Sequence, residues 1–569
     1  MYLIPKVKKL QVLEGSLQSK TILPFVGQVD NRVKNLIEKL PKSDKGVPLT
    51  IQIVDNGEES YSLTIDQQGI NVQANGNAGA FYAVQTLRQI FLWETVPYLT
   101  IFDKPDFKYR GFYHDITRGK VPKVQTIKKL IDRLAYLKIN SLQLYVEHVY
   151  DFLECGEDIK SRGFLTQSEI KEIDDYCKQN FIDFVPSLSS FGHMYEILSQ
   201  PEYKHLSVLQ NYLPKPNEWL NRMEHHTINP LLPESEILVK SLIDQYEQNF
   251  TSEYFNICGD ETFDLKNFKP EGAQALSESQ MYVDFIKKSI SHVKSKGKKV
   301  MMWADILLKH PETIEELPED TIFLNWNYAK EPSEENVATF SKLKRQQIVC
   351  PGTWSWNHLI ENVDISEGNI SKMAEFGFKH GAMGILNTNW GDWGNPCSIE
   401  LSYYGMTLGA ELGWSAQSKI DEDYVDRLNY VIYKSQNGVQ YVKRLSDIHN
   451  KARWTEICED YSHIKAKDNA KLCGITLSNF NLVQNECKEL FDLVTADKNL
   501  DLEIKEELLI AIEGVCVIAE LEAKISNLKI DRQTNALKWF DKYKTKWLQK
   551  NKPSEIDRIG AMFSFLENL

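Results

Sequence analysis

The chain has no CxxC pair, and its nine cysteines follow no regular spacing. That excludes a disulfide framework and a zinc-finger pattern, and it favours reduced thiols in a cytoplasmic setting. Histidine is sparse, at 12 of 569 residues, and no His-x-His pair closes a predicted strand. No apolar run reaches the length of a membrane span, so no membrane partner is expected. The opening Met1-Tyr-Leu-Ile-Pro-Lys-Val-Lys-Lys9 lacks the apolar core and small-residue cleavage site of a secretory leader. The expected location is therefore the cytoplasm. No Lys/Arg stripe is present and the net charge is −13, which argues against a nucleic-acid partner. Low-complexity segments and strong internal repeats are also missing.

Hydrophobic residues make up 42% of the chain and charged residues 25%, the balance of a soluble globular protein. A length of 569 residues implies roughly two to four domains. Aromatics are plentiful, with 12 Trp, 25 Tyr and 25 Phe. Many of the tryptophans fall at predicted strand ends, an arrangement suited to stacking on sugars.

Three regions follow from the patterning. Residues 1–105 read as a small α/β accessory domain: segments 48–54, 60–65 and 69–74 alternate as half-buried strands, and 77–90 is helical. Residues 106–418 alternate strand and helix. Eight strands are predicted, at 109–116, 141–147, 183–189, 254–258, 299–303, 321–326, 348–354 and 382–388. Helices are predicted at 124–137, 167–179, 234–248, 281–296, 337–346, 370–378 and 401–414. In the first, Ile127, Leu130, Ile131 and Leu134 recur at helical spacing. Eight βα units of this length predict a (β/α)8 TIM barrel. A doubly wound open sheet is the alternative, but it needs a Gly-rich phosphate turn after its first strand, and none is present. Residues 419–569 carry no strand signal and read as a mainly helical C-terminal region. It either packs on the barrel or forms a homodimer face.

The fourth barrel strand ends in the segment Tyr254-Phe-Asn-Ile-Cys-Gly-Asp-Glu-Thr262. A buried strand gains nothing by finishing on two like charges. The bland reading is a turn or a helix cap. The functional reading is a catalytic pair at the C-terminal end of a barrel strand, one carboxyl donating a proton while its neighbour stays ionised. The other strand ends have the same character. They deliver Asp115 and Arg118, Glu147 and His148, Ser190 to His193, and Trp303 with Asp305. They also deliver Asn325 to Tyr328, Trp354 with Trp356, and Asn387 to Trp393. A mouth lined with Trp, Asn and Asp, without a phosphate loop, suits a neutral sugar.

The segment Arg110-Gly-Phe-Tyr-His-Asp-Ile-Thr-Arg118 resembles the first barrel strand of the family 20 glycoside hydrolases, the β-N-acetylhexosaminidases. The helix at 126–140, Phe191-Gly-His-Met194 and, most specifically, Cys258-Gly-Asp-Glu261 resemble that family as well. The stretch from Ala78 to Gln89 looks like the domain that precedes these barrels. The resemblance spans roughly residues 50–415. It implies a retaining exo-glycosidase that releases terminal β-linked N-acetylhexosamine with no cofactor or metal. The sugar's own acetamido oxygen is the implied nucleophile, an exception to the two-carboxylate scheme. Glu261 matches the acid/base and Asp260 the residue that holds the acetamido N–H. Arg118 matches the arginine that grips the sugar hydroxyls. Trp303, Trp326 and Trp390 or Trp393 are candidates for the box around the acetamido methyl. His193, Tyr328, Trp354, Asn387 and Asp392 complete the expected binding set.

Departures from the family pattern bear on specificity. Gln143-Leu-Tyr-Val-Glu-His148 stands where many members have a His-rich strand ending in two aspartates. The family's tyrosine that orients the acetamido oxygen has only Tyr328 as a candidate. A sulfated sugar or a disaccharide unit stays open as substrate. Two other classes stay open as well: a glycan-binding barrel without turnover, and a metal-dependent hydrolase using His193, Asp260 and Glu261.

Overall fold

In the computed structural model, the residues described are 2–55, 59–209, 219, 226–269, 276–530 and 535–569. Eight parallel strands close into a barrel in chain order: β6 (Tyr109–Asp115), β7 (Ser141–Val146), β8 (Asp183–Leu188), β9 (Tyr254–Asn256), β10 (Lys299–Trp303), β11 (Ile322–Trp326), β12 (Gln347–Cys350) and β13 (Gly384–Asn389). The last pairs with the first from Gly384↔Tyr109 to Asn389↔His114. Most strand residues are buried on both faces, as parallel sheets covered by helices require. All eight predicted strands are present. Two were expected to run two or more residues further. β9 stops at Asn256 because Cys258, Gly259 and Glu261 take φ of 55°, 83° and 49°. That left-handed path cannot continue a strand. β12 stops at Cys350, and Trp354 turns at φ 51°.

The preceding region is a five-stranded sheet in the order β1-β5-β3-β4-β2. Its strands are β1 (Lys9–Ser16), β2 (Leu49–Asp55), β3 (Tyr61–Asp66), β4 (Gly69–Asn75) and β5 (Pro97–Asp103), with the helix Gly76–Ile90 packed on it. β1 and β5 were not anticipated. They pair with each other antiparallel, from Lys9↔Phe102 to Ser16↔Pro97. One buried carboxylate joins the sheet to the barrel. Asp103 accepts from Lys138 Nζ at 2.8 Å, Tyr61 OH at 2.7 Å and Trp414 Nε1 at 2.8 Å. A buried ion pair is costly to desolvate, so these extra donors are what make it tolerable.

From Tyr403–Trp414 onward the named elements are all helices. The longest are Leu477–Ala496, Leu502–Ile525 and Ala536–Lys550. They pack against one another and against the loops at the start and end of the barrel sequence.

Candidate active site

The turn after β9 is built to present two carboxylates. Asn256 Oδ1 accepts the Cys258 N–H at 2.9 Å, and its amide donates to Gln143 Oε1 and Ser187 Oγ at 2.9 and 3.2 Å. Tyr282 OH donates to the Gly259 carbonyl at 2.8 Å. Left-handed backbone at Cys258 and Glu261 costs free energy, which these bonds offset. The neighbouring loop must come close. A Cβ at position 192 would lie 2.3 Å from the Asp260 carbonyl oxygen, so only glycine fits between Phe191 and His193.

That close approach sets His193 against both acids. Its Nε2 lies 3.1 Å from Glu261 Oε2 and 3.5 Å from Asp260 Oδ2. Burial disfavours the imidazolium, but the two carboxylates outweigh it and hold the His193 pKa well above the ordinary value. Its Nδ1 lies 3.4 Å from Arg118 Nη2. Asp260 Oδ1 and Trp303 Nε1 are buried with no hydrogen-bond partner among the described residues. An orphaned acceptor and an orphaned donor are costly alone and are natural points of attachment for a substrate.

Arg118 stands in a cage of acids. Nη1 is 2.9 Å from Asp392 Oδ1 and 3.6 Å from Asp115 Oδ2, and Nε is 3.5 Å from Glu147 Oε1. Its guanidinium also lies 5.0 Å from the ring centroids of both Tyr145 and Trp390. Burial pushes the Asp392 pKa up, with Asp115 and Glu261 adding to the rise and Arg118 opposing it, to about 6.

The aromatic wall is continuous. Trp303 and Trp390 approach at 5.8 Å, each against Tyr113 at 5.2 and 5.0 Å. Trp326 stacks on Tyr328 at 5.0 Å and Trp354 on Trp356 at 4.9 Å. Trp390 Nε1 donates to Tyr328 OH at 2.6 Å, joining the two groups.

The structure thus brings together Asp260, Glu261, His193, Arg118, Asp392, Trp303, Trp326, Tyr328, Trp354 and Trp390. Two expected residues lie elsewhere. Asn387 donates to the Gly405 carbonyl at 2.8 Å and packs on the helix Tyr403–Trp414, the outward side of β13. Trp393 belongs to the core cluster shared with the C-terminal helices, apart from the cluster of Trp303 and Trp390. Tyr113 and Tyr145 are the additions, and Asp305, placed at a strand end by the sequence, joins the Asp260–Glu261 pair. The tyrosines occupy inward positions of β6 and β7, and Asp305 Oδ2 accepts the Glu261 N–H at 3.2 Å. His148 sits behind Glu147, its Nδ1 3.9 Å from Oε2.

His193, Asp260 and Glu261 offer ligand atoms within 4.8 Å of one another, so a divalent cation fits by geometry. The electrostatics fit it less well. The two carboxylates favour the charged form of His193, and Arg118 adds a second cation on the far side of the ring.

Residues 107–356 match the family model described as glycosyl hydrolase family 20, catalytic domain, and residues 1–104 match that described as glycosyl hydrolase family 20, domain 2. A β-hexosaminidase of Vibrio furnissii is 23% identical over 416 residues, covering 65% of this chain and 66% of the relative. A lacto-N-biosidase of Bifidobacterium bifidum is 24% identical over 447 residues, covering 74% of this chain and 36% of the relative. The chain spans about a third to two thirds of the length of such relatives. A solved chitobiase of Flavobacterium johnsoniae shares the fold over 99% of both chains, with a TM-score of 0.60 and 18% identity. The two family models together account for more than half of the chain, on the five-stranded sheet and on the barrel that carries the Asp260–Glu261 pair, and the chain belongs to glycoside hydrolase family 20.

Proposed function

We propose that this chain is an exo-acting β-N-acetylhexosaminidase that works by substrate assistance with retention. One observation carries the reading: Asp260 and Glu261 are consecutive, lie on one turn, and are both held by His193 Nε2, at 3.5 and 3.1 Å. Enzymes that use a carboxylate nucleophile place their two carboxyls on opposite faces of the scissile bond, about 5–5.5 Å apart. Two adjacent acids on one turn suit a division of labour in which the nucleophile comes from the substrate. The remaining acids at the mouth are engaged: Asp115, Glu147 and Asp392 surround Arg118, and Asp305 binds the Glu261 N–H.

In this reading the acetamido carbonyl oxygen attacks the anomeric carbon as the glycosidic C–O bond breaks. Glu261 gives its proton to the leaving oxygen. Asp260 accepts from the acetamido N–H and stabilises the positive charge of the oxazolinium. A water then opens the ring, and Glu261 takes its proton. Trp303, Trp326 and Trp390 enclose the acetamido methyl, and Arg118 with Asp392 grips the sugar hydroxyls.

The test is inhibition by an N-acetylglucosamine thiazoline, which mimics the cyclised intermediate and should bind far tighter than substrate. It is paired with proton NMR of the first-formed anomer from an aryl β-N-acetylglucosaminide. Strong inhibition with a β product supports the reading. An α product, or no inhibition by millimolar thiazoline, would overturn it.

A further inference from the structure

Bonds from the helices that follow the barrel end on the two loops that carry Arg118, Trp390 and Asp392. The loop after β6 holds Arg118, and the loop after β13 holds Trp390 and Asp392. These loops touch backbone to backbone: at Gly119, φ 133°, an added Cβ would lie 2.4 Å from the Gly394 carbonyl oxygen. Asp115 ties them from inside the barrel. Its Oδ1 accepts the Thr117 and Arg118 N–H groups at 2.8 and 3.1 Å, and its Oδ2 accepts the Gly391 N–H at 3.0 Å.

The outer side of the same seam is tied by side chains and one backbone N–H from the helical region. Trp454 Nε1 donates to the Trp393 carbonyl at 2.9 Å, and Tyr543 OH donates to the Pro396 carbonyl at 2.8 Å. The Glu555 N–H donates to the Gly119 carbonyl at 3.2 Å. Across the seam itself, Lys120 Nζ donates to the Cys397 carbonyl at 2.5 Å while lying 4.9 Å from the ring centroid of Trp547. Each of these bonds ends on a main-chain carbonyl of one loop or the other. Such bonds fix the path of a loop and leave its side chains free for a ligand.

We propose that the C-terminal helical region is part of the sugar-anchoring apparatus, and that Lys120 and Tyr543 are positioning residues that keep Arg118 and Asp392 facing each other. The sugar-anchoring half of this statement rests on the proposed function. The loop-positioning half does not. A 1 Å displacement of an anchoring group is enough to degrade transition-state binding, so the effect should be kinetic as well as structural. Ordinary packing between a domain and its neighbour would change the melting temperature and leave the kinetics alone.

The experiment uses the full chain with Tyr543→Phe and Lys120→Met, each alone and each combined with Arg118→Ala. Hydrogen exchange is read without substrate in segments 115–121 and 389–398, and kcat and KM are read on an aryl β-N-acetylhexosaminide. Exchange should quicken in both segments, and KM should rise about 3- to 10-fold, the worth of one net hydrogen bond. In the Arg118→Ala background the same substitutions should change KM less than about twofold, because residues acting through one group are not additive. Unchanged exchange in both segments would overturn the proposal. So would a full KM effect that persists without Arg118. If the wild-type chain turned over no hexosaminide, the exchange result alone would decide the positioning claim, and the proposed function would fail separately.

Discussion

Glu261 donates its backbone N–H to Asp305 Oδ2 at 3.2 Å, so a third carboxyl, from the helix that follows β10, is tied to the turn that carries Asp260 and Glu261. Burial raises the Asp305 pKa, and the charges of Asp260 and Glu261 raise it further, to about 7. An unfolded Asp ionises near 3.8. With the folded pKa raised, this group's contribution to stability is fully present below about pH 4 and is lost as pH climbs towards 7. Asp305→Asn keeps an oxygen for the Glu261 N–H and removes the titration. The variant should therefore gain in melting temperature relative to wild type between pH 4.5 and 8. It should also lose any transition near pH 7 in kcat/KM. A transition that survives in the variant belongs to another group.

Glu261→Gln tests the proton transfer itself. A placed acid/base contributes roughly 10²–10⁴-fold, and that is the expected loss of kcat on an unactivated β-N-acetylhexosaminide. The side chain is 31% exposed, so the melting temperature should hardly move. Wild-type turnover by the variant would remove Glu261 from the mechanism.

Arg118, the proposed anchor, is also an ion-pair partner: its one guanidinium faces Asp392, Glu147 and Asp115 at 2.9, 3.5 and 3.6 Å. Removing it leaves three buried or nearly buried acids uncompensated, a change worth about 3–5 kcal/mol in stability. Arg118→Ala should lower the melting temperature, raise KM and lower kcat together, because lost remote contacts weaken transition-state binding. Arg118→Lys should restore much of the stability and little of the kcat/KM, because an ammonium lacks the planar fork. Kinetics and melting both matching wild type in Arg118→Ala would defeat the assignment.

Much of this arrangement is legible in the sequence because a barrel converts strand order into geometry. Asp115, Asp260 and Trp303 lie far apart in the chain and meet because Asp115 and Trp303 end strands and Asp260 lies on the turn just past one. What stayed hidden follows from the alternation of side chains along a strand. Leu386 of β13 belongs to the inner cluster, so Asn387 faces outward to the helix behind, although it sits beside the mouth in sequence. Tyr113 and Tyr145 face inward, but every residue of both strands is buried, polar ones such as Arg110 and Gln143 included, so polarity does not tell inside from outside. The left-handed turn from Cys258 to Glu261 has only Gly259 as a local signal. The role of Trp393 depends on Trp454, 61 residues away, which no local pattern announces.

Glu522 provides a prediction independent of the sugar chemistry. It lies on the helix Leu502–Ile525, is fully buried, and neither carboxyl oxygen has a partner among the described residues. Burial raises its pKa, with Glu456 and Asp460 adding to the rise, to about 9. An unfolded Glu ionises near 4.5. The raised folded value means that stability is greatest below that pH and falls steadily as pH rises towards 9. Glu522→Gln removes the titrating proton at nearly constant volume. The variant should match wild type near pH 4.5 and exceed it by an amount that grows to pH 8.5, on the order of a few kcal/mol at the upper end. Melting curves of both proteins across that range provide the check. Curves that stay parallel would show that Glu522 is already paired or solvated in solution, and the buried, partnerless carboxyl would have to be abandoned.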